Sequence, residues 1–269
     1  MTVIDSDGVL RGQVAVVTGA SRGIGEAIAL RYAMAGAKVV VSARTVEAAE
    51  HYLPGTITDT VARITAAGGE ALAVRADLAV AADRHDLIKQ TEDAFGSVDI
   101  LVNNAAITYF IPVEDFPEKR FRLMMEVQVW APFELAQLVL PGMRERGRGW
   151  ILNISSHAAI HPDRTLSGRG GTVYGMCKAA LERFTTGLAQ EEFDHNIGVN
   201  VISPGLVATP GVIHHKLINE TNEDRVMPVE HMAEACLRLV YGDAREMTGR
   251  IDYADQVIEE FTLAPVDLI

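Results

Sequence analysis

Cysteine is scarce in this chain, since Cys177 and Cys236 are the only two among 269 residues. Two cysteines cannot build a disulfide framework or a cysteine-based zinc site, and they fit a reducing compartment. No apolar run reaches the roughly 18 residues that a transmembrane helix needs, and the first residues, MTVIDSDGVLRG, lack the apolar segment of a secretory signal. We therefore expect a cytoplasmic protein with no membrane partner.

Basic residues are outnumbered by acidic ones, 24 Lys and Arg against 36 Asp and Glu, which gives a formal net charge of −12. An acidic surface gains nothing from a nucleic acid or an anionic membrane, so we expect neither as a partner. With 48% hydrophobic and 22% charged residues, the composition supports a full apolar core. We expect one folded domain over residues 12–269, preceded by an extension over residues 1–11.

Short apolar runs alternate with helical patterns along almost the whole chain. The runs lie at residues 14–18, 38–42, 71–75, 100–104, 150–154, 199–202 and 250–253, and the helical patterns lie at residues 24–35, 57–67, 81–95, 117–143, 173–192 and 229–241. Continuously apolar strands are typical of a parallel sheet that helices cover on both faces. The sequence therefore predicts a Rossmann-type, doubly wound α/β fold with about seven parallel strands.

Two long segments, residues 157–171 and 205–227, interrupt this alternation. Each follows a predicted strand, so each is expected at the carboxyl edge of the sheet, where open α/β sheets bind ligands. We interpret both as substrate loops.

Three glycines, Gly19, Gly23 and Gly25, lie between the first predicted strand and the first predicted helix. Glycine lets the backbone approach a phosphate closely, and the helix N-terminus offers free N–H groups to it. A glycine trio also occurs at ordinary tight turns, but the flanking strand and helix favour a dinucleotide cradle.

Five motifs follow one another in an order that resembles the short-chain dehydrogenases/reductases: TGASRGIG (18–25), NNAA (103–106), NISS (153–156), YGMCK (174–178) and SPGLVATP (203–210). The resemblance covers about residues 12–250. The C-terminal segment MTGRIDYADQVIEEF is similar to that of citronellol/citronellal or hydroxysteroid-like dehydrogenases. The family implies an NAD(P)-dependent oxidoreductase, active as a homo-tetramer or dimer assembled through the helices of residues 117–143 and 173–192.

The resemblance also implies a set of cofactor-binding residues. They are Gly19, Ser21, Arg22, Gly23, Ile24, Gly25, Arg44, Asp77, Leu78, Asn104, Ala105, Tyr174, Lys178, Pro204, Gly205, Val207 and Thr209. At the end of the second strand, where an acidic residue would hydrogen bond a ribose hydroxyl, the chain has Ala43 followed by Arg44. Arg44 and Arg22 favour a ribose phosphate and hence NADP(H), while NAD(H) remains possible if both arginines are merely solvated.

Tyr174 and Lys178 are four residues apart on a predicted helix, so their side chains share one face. A free tyrosine has a pKa near 10, and we expect the ammonium of Lys178 to lower it, which would make Tyr174 a usable acid or base. Ser156 is expected to hydrogen bond the reacting oxygen, with Ser155 as the alternative. The spacing alone also fits an ordinary amphipathic helix; the complete set of motifs favours catalysis.

Gln128 stands where the family has a catalytic asparagine, whose main-chain carbonyl holds a water in a proton relay. Pro132 has no N–H to donate to the carbonyl four residues earlier, which is that of Gln128. The carbonyl is then available to water, or else the proline merely kinks the helix and Gln128 packs elsewhere. Both readings stay open at this point.

The histidines at 157, 161, 214 and 215 show no metal-ligand spacing, so we expect no metal site. We expect Cys177 to serve in packing.

Apolar residues near the site favour a lipophilic alcohol or carbonyl substrate; they are Tyr109, Phe110, Ile111, Ile160, Val212, Ile213, Leu217 and Ile218. Arg164 and Arg169 would instead suit a carboxylate or a thioester carrier. The alternatives to an NADP(H)-dependent oxidoreductase are an NAD-preferring dehydrogenase and a non-catalytic NAD(P)-binding scaffold; an epimerase or dehydratase would need a different glycine spacing.

Overall fold

Within the residues that the structure describes, nine strands form two sheets. The computed structural model describes residues 4–5, 7–163, 170–220 and 222–269. Its strands are β1 (Val14–Thr18), β2 (Lys38–Ala43), β3 (Ala71–Arg75), β4 (Ile100–Asn103), β5 (Gly149–Ile154), β6 (Ile197–Ser203), β7 (Leu206–Val207), β8 (Val226–Met227) and β9 (Ile251–Tyr253). Seven of them make one sheet in the order β3-β2-β1-β4-β5-β6-β9, in which every pairing is parallel.

Ten α-helices accompany the strands in the described part of the chain. They are α1 (Gly23–Met34), α2 (Ile57–Ala66), α3 (Ala81–Phe95), α4 (Glu118–Met125), α5 (Ala131–Arg146), α6 (Thr172–Glu191), α7 (Pro210–His214), α8 (Val229–Arg238), α9 (Ala244–Met247) and α10 (Ala254–Glu260). None of them is both long enough and apolar enough to cross a membrane.

The central sheet is apolar on both faces. Val16, Val40 and Leu101 pack into one buried cluster with α3 and α5, while Val17 and Val39 pack into another with α1 and α8. Two covered faces explain why the strands read as continuous apolar runs rather than as alternating ones. The predicted Rossmann-type α/β fold with seven parallel strands is confirmed.

The segment predicted as one helix over residues 117–143 is interrupted. Helix α4 ends at Met125, a π-helical turn follows over Glu126–Trp130, and α5 begins at Ala131. Pro132 lies at the start of α5 and has no N–H, so the regular i→i−4 bond to Gln128 cannot form. Such π-helical turns are rare, and they occur frequently at functional sites.

The predicted loop of residues 205–227 contains regular structure. It holds β7, α7 and β8, and the two short strands pair with each other in parallel.

The described residues of the predicted N-terminal extension pack against the end of α1. The backbone N–H of Asp5 donates to the carbonyl of Met34, and the side chain of Leu10 is fully buried.

A chain of buried amides links two central strands to α6. The Nδ2 of Asn103 donates to the Oδ1 of Asn153 over 2.9 Å, and the Nδ2 of Asn153 donates to the Oγ1 of Thr185 over 2.8 Å. All three side chains are buried. Buried polar groups are stabilising only when they are hydrogen bonded, so this chain fixes α6 against the sheet directly below the site.

Candidate active site

The carboxyl ends of β1 and β4 form a crevice, because the chain leaves these neighbouring strands toward opposite sides of the sheet. Ligands of open α/β sheets bind at such a switch point. The glycine turn after β1, the segments after β4 and β5, and the segment after β6 all begin at this edge.

The glycine turn needs its glycines. Gly19 and Gly23 have φ of +66° and +59°, values that favour glycine. A Cβ on Gly25 would lie 2.8 Å from the carbonyl carbon of Gly19 and would clash with the carbonyl oxygen of Gly19 and the Nδ2 of Asn104. The turn therefore brings backbone to backbone at the N-terminus of α1, and a dinucleotide phosphate fits this cradle.

Asn104 braces the glycine turn. Its Nδ2 donates to the carbonyl oxygens of Thr18 (2.8 Å) and Gly19 (3.2 Å). The hydroxyl of Thr18 accepts the backbone N–H groups of Asn104 and Ala105 and donates to the carbonyl of Val102. The sequence predicts Asn104 and Ala105 in the cofactor groove, but it does not predict that Asn104 and Thr18 join the ends of β1 and β4.

The two arginines near β2 differ in their partners. Arg22 donates to the carbonyls of Pro54 and Gly55, both over 2.8 Å, and to the hydroxyl of Thr45 over 3.3 Å. Burial, opposed in part by a neighbouring tyrosine, lowers its pKa. Arg44 is exposed. The guanidinium of Arg22 thus holds the segment after β2 in place, and Arg44 is the one that faces solvent at the strand end.

The other predicted cofactor residues lie along the same edge. The Oδ1 of Asp77 accepts the N–H of Ala79, while Leu78 is buried and its carbonyl accepts Nη1 of the buried Arg84. Arg84 also pairs with Glu126 over 2.8 Å. This link from the segment after β3 to the π-helical turn has no signal in the sequence, because its members are far apart along the chain.

The remaining positions flank the glycine turn. Ser21 is buried, and Ile24 packs against the core. Pro204 and Gly205 follow β6, and Val207 is buried within β7. The hydroxyl of Thr209 caps α7 by accepting the N–H of Val212, and a Cβ on Gly23 would lie 3.2 Å from the Cβ of Thr209. The segment after β6 therefore closes onto the glycine turn.

Tyr174, Lys178 and Ser156 lie together at the junction of β5 and α6. The side chains of Tyr174 and Ser156 are hydrogen bonded to each other. The Nζ of Lys178 donates to the carbonyl of Ile154 over 2.8 Å and lies 5.6 Å from the centre of the Tyr174 ring. Ser155, the alternative to Ser156, instead donates to the Oε1 of Glu182.

Burial controls the titration of this pair. It raises the pKa of Tyr174, while the hydrogen bond from Ser156 opposes that rise. It lowers the pKa of Lys178 to about 8, and Cys177 and Glu182 oppose that shift. The sequence predicts a lowered pKa for Tyr174, but the net shift in this structure is upward, because desolvation of the phenol outweighs the other effects.

Gln128 is buried in the π-helical turn. Its Nε2 donates to the carbonyl of Ile107 over 2.9 Å, which ties the turn to the segment after β4. Its Oε1 is buried and has no hydrogen-bond partner within the described chain. The side chain of Gln128 therefore packs inside the protein, while its main-chain carbonyl lacks the regular helical hydrogen bond because Pro132 has no N–H. Packing of the side chain and binding of a water by the carbonyl are compatible.

A series of rings crosses the mouth of the crevice, and we call it the ring bridge. It runs through His51, Tyr52, His214, His215 and Phe110 to Tyr174, and neighbouring ring centres are 4.3 to 6.4 Å apart. It thereby joins the segment after β2 to α7 and to the site.

The other residues singled out in the sequence are accounted for as follows. The ring of His157 contacts that of Tyr253 at 4.5 Å. Cys177 is buried against Met124 and Val173 in a small apolar cluster, as expected for a packing residue. No group of three or more metal-ligating side chains occurs among the residues that the structure describes. Arg164 and Arg169 lie outside the described residues.

Comparison with known proteins gives consistent matches. The sequence model of a protein family described as short chain dehydrogenase matches residues 13–221. A 7α-hydroxysteroid dehydrogenase of Escherichia coli is 35% identical over 249 residues, which cover 90% of this chain and 92% of that protein. A 3-oxoacyl-acyl-carrier-protein reductase of Synechocystis is 34% identical over 245 residues, which cover 91% of this chain and 89% of that protein.

A solved structure shows a similar fold together with a nucleotide. This protein from Beutenbergia cavernae, with NADP bound at low occupancy, is 30% identical to the chain. The alignment covers 91% of this chain and 96% of that one, with a TM-score of 0.79.

Proposed function

The chain belongs to the short-chain dehydrogenases/reductases and is an NAD(P)-dependent oxidoreductase, and on this basis we propose that it transfers hydride reversibly between NADP(H) and a lipophilic alcohol or carbonyl compound. The observation that carries the proposal is the hydrogen-bonded pair of Tyr174 and Ser156 with Lys178 on the same helix face. A non-catalytic scaffold would have no need of these three side chains together.

Each of the three side chains has a task in the proposed reaction. When bound, the nicotinamide supplies or accepts the hydride. In the reductive direction the phenol of Tyr174 gives its proton to the carbonyl oxygen, and in the oxidative direction the phenolate takes the proton of the alcohol. Ser156 donates a hydrogen bond to the same oxygen as its charge develops. Lys178 would hold the nicotinamide ribose, and its positive charge would favour the phenolate against the effect of burial.

Apolar side chains near Tyr174 support the proposed substrate class. Phe110 lies edge-on to Tyr174. Ile160 ends the short turn that Ser156 caps, Ile213 lies in α7 beside His214, and the two expose 52% and 60% of their surface. Aromatic and aliphatic walls around a single proton donor suit a lipophilic secondary or primary alcohol or the matching carbonyl compound. A screen of aliphatic, terpenoid, steroid and acyl-thioester substrates, each with both cofactors, tests this assignment. Activity confined to the acyl thioesters would contradict it.

We assign the cofactor preference to Arg44. Because Arg22 already donates to the segment after β2 from its Nε and Nη2, the exposed Arg44 is the more available guanidinium for a ribose phosphate. Fluorescence titration is expected to show tighter binding of NADPH than of NADH, and Arg44→Asp is expected to reverse this order. Arg245→Asp, which makes the same change of charge at α9, should keep the wild-type order. Equal affinities in the wild type would contradict a phosphate contact by Arg44.

The proposed role of Gln128 rests on its main-chain carbonyl. Pro132→Ala restores an N–H that can recapture this carbonyl within the helix. We expect kcat to fall about tenfold, less than the ~100-fold or more that loss of the general acid itself would cost. Pro141→Ala is the matched control, because Pro141 also lies within α5 but on its exposed side. Equal kcat values in two variants that retain the wild-type circular dichroism would remove the carbonyl from the mechanism.

A homo-tetramer is part of the proposal. Trp130 and Phe133 stack at 5.4 Å, Phe133 contacts Phe184 at 5.6 Å, and Met176 exposes 49% of its surface on the neighbouring helix. Exposed aromatic clusters of this kind mark protein interfaces. Phe133→Glu should therefore shift the mass measured by light scattering toward the monomer, while Val113→Glu should not. A wild-type monomer at micromolar concentration would contradict the assembly.

A cytoplasmic location also belongs to the proposal. Its support is chemical, because Cys177 and Cys236 are both free and buried, as fits a reducing compartment.

A further inference from the structure

Three consecutive residues at the end of β5 are each bonded to α6. The carbonyl of Ile154 accepts Nζ of Lys178, and the side chain of Ser156 is bonded to that of Tyr174. Between them, the Oγ of Ser155 donates to the Oε1 of Glu182 over 2.7 Å. The three partners on α6 are spaced by four residues each, so they form one continuous stripe along the helix.

Ser155 is held from two sides. Its backbone N–H donates to the carbonyl of Ile202 on β6 over 2.8 Å. The residue exposes only 3% of its surface, and Glu182 accepts its hydroxyl. Ser155 lies between Ile154 and Ser156 in the chain. Its position therefore fixes the positions of the Ile154 carbonyl, which accepts the Lys178 ammonium, and of Ser156, which is hydrogen bonded to Tyr174.

Glu182 also faces the buried ammonium of Lys178. Desolvation is the largest influence on the pKa of Lys178, and Cys177 and Glu182 act against it from the same helix. From β9, Tyr253 faces Glu182, and burial followed by the charge of Glu182 raises the pKa of this tyrosine. Burial raises the pKa of the Cys177 thiol, which favours its neutral form, so Glu182 is the carboxylate of this pair that favours a protonated Lys178.

We propose that Glu182 is a positioning residue of the reaction, which holds the end of β5 through Ser155 and keeps a negative charge facing Lys178. The inference rests on the proposed roles of Tyr174, Lys178 and Ser156. It adds a fourth side chain to the site, one that touches neither substrate nor cofactor.

Two variants separate the hydrogen bond from the charge. Glu182→Gln keeps an oxygen that can accept the Ser155 hydroxyl but removes the negative charge, whereas Ser155→Ala removes the hydrogen bond but leaves the charge. Loss of a nearby opposite charge lowers the pKa of an ammonium. Lys178 should therefore lose its proton at a lower pH in Glu182→Gln, and at an unchanged pH in Ser155→Ala.

An NMR titration of the lysine ε-methylene groups measures this directly, without cofactor or substrate. The chain has five lysines, and the signal of Lys178 is identified by its absence in Lys178→Arg. We expect its midpoint near pH 8 in the wild type and at least about 0.5 pH unit lower in Glu182→Gln. Glu191→Gln, which removes the same charge from the exposed end of α6, should leave the midpoint unchanged.

Activity supplies the second readout, with NADP⁺ and the alcohol that gives the highest kcat in the substrate screen. The alkaline limb of kcat should move to lower pH in Glu182→Gln. In Ser155→Ala, kcat should fall about threefold to tenfold with its pH profile unmoved, because a small displacement of the reacting groups slows the reaction.

Tyr174→Phe measured in parallel distinguishes the two possible failures. If Tyr174→Phe retains wild-type turnover, the proposed function itself is wrong. If Tyr174→Phe is inactive while the Lys178 midpoint and the pH profile of Glu182→Gln match the wild type, only the role of Glu182 is overturned. If Glu182→Gln fails to fold, Glu182→Asp is measured in its place. The shorter carboxylate keeps the charge but no longer reaches the Ser155 hydroxyl, so kcat should fall while the titration midpoint of Lys178 changes little. A wild-type kcat in Glu182→Asp would equally overturn the proposed role of Glu182.

Discussion

Tyr174→Phe is expected to lower kcat at least about 100-fold while changing the affinity for NADPH little. The substitution removes only the phenolic oxygen, which is the atom that exchanges a proton with the substrate in the proposed reaction. The ring, its edge-on contact with Phe110 and the approach of Lys178 to it are retained. Steady-state kinetics combined with fluorescence titration of NADPH therefore separates the loss of chemistry from any loss of binding.

The control for this variant is Tyr241→Phe. Tyr241 follows α8 and contacts Arg238, on the other side of the sheet from the α5 cluster, so loss of its hydroxyl should leave kcat at the wild-type value. Turnover of Tyr174→Phe within a few-fold of the wild type would show that another group supplies the proton.

Gly25→Ala is expected to weaken NADPH binding at least tenfold, which corresponds to ~1.4 kcal/mol. The new Cβ would meet the carbonyl of Gly19 and the side-chain amide of Asn104. The carbonyl belongs to the backbone of the turn and the amide braces that turn, so neither can yield without moving the phosphate cradle. The helix itself should tolerate alanine, because alanine is the better helix former.

Gly142→Ala provides the comparison for a glycine that has room. Gly142 lies within α5, and the nearest atom to an added Cβ is the far end of the flexible Arg146 side chain at 3.1 Å. This variant should bind NADPH as the wild type does and unfold at the same or a slightly higher temperature. Wild-type NADPH affinity in Gly25→Ala would contradict the assignment of the glycine turn as the cradle.

The sequence was sufficient for the sheet because the signal for each strand is local. The runs around Val16, Val40 and Leu101 are apolar at successive positions, and strands covered on both faces require this. The motifs predict the residues of the crevice because each motif lies at the carboxyl end of a strand, and these ends meet at one edge of the sheet. Helix α6 brings Tyr174 and Lys178 together by spacing alone.

What the sequence did not reveal depends on contacts between distant residues. The sequence predicts Arg22 as a phosphate ligand, but it does not predict that Pro54 and Gly55, more than 30 residues away, accept hydrogen bonds from two of its nitrogens. Likewise, burial of the Tyr174 phenol depends on the packing of several elements, so the direction of its pKa shift could not be deduced from the neighbouring lysine. In the sequence, only Pro132 indicates that the helix is interrupted where the structure has the π-helical turn.

The buried amides of Asn103 and Asn153 determine the register of β4 against β5. Both strands are buried at every position, so a slip of two residues would still place apolar side chains on apolar neighbours. Such a slip would, however, separate the Nδ2 of Asn103 from the Oδ1 of Asn153 and leave both atoms without this partner in the core, at a cost of ~1–3 kcal/mol per group. Asn104 and Ser156 follow these amides by one and three residues. The amide pair therefore sets the relative height of the phosphate cradle and the reacting oxygen along the sheet edge.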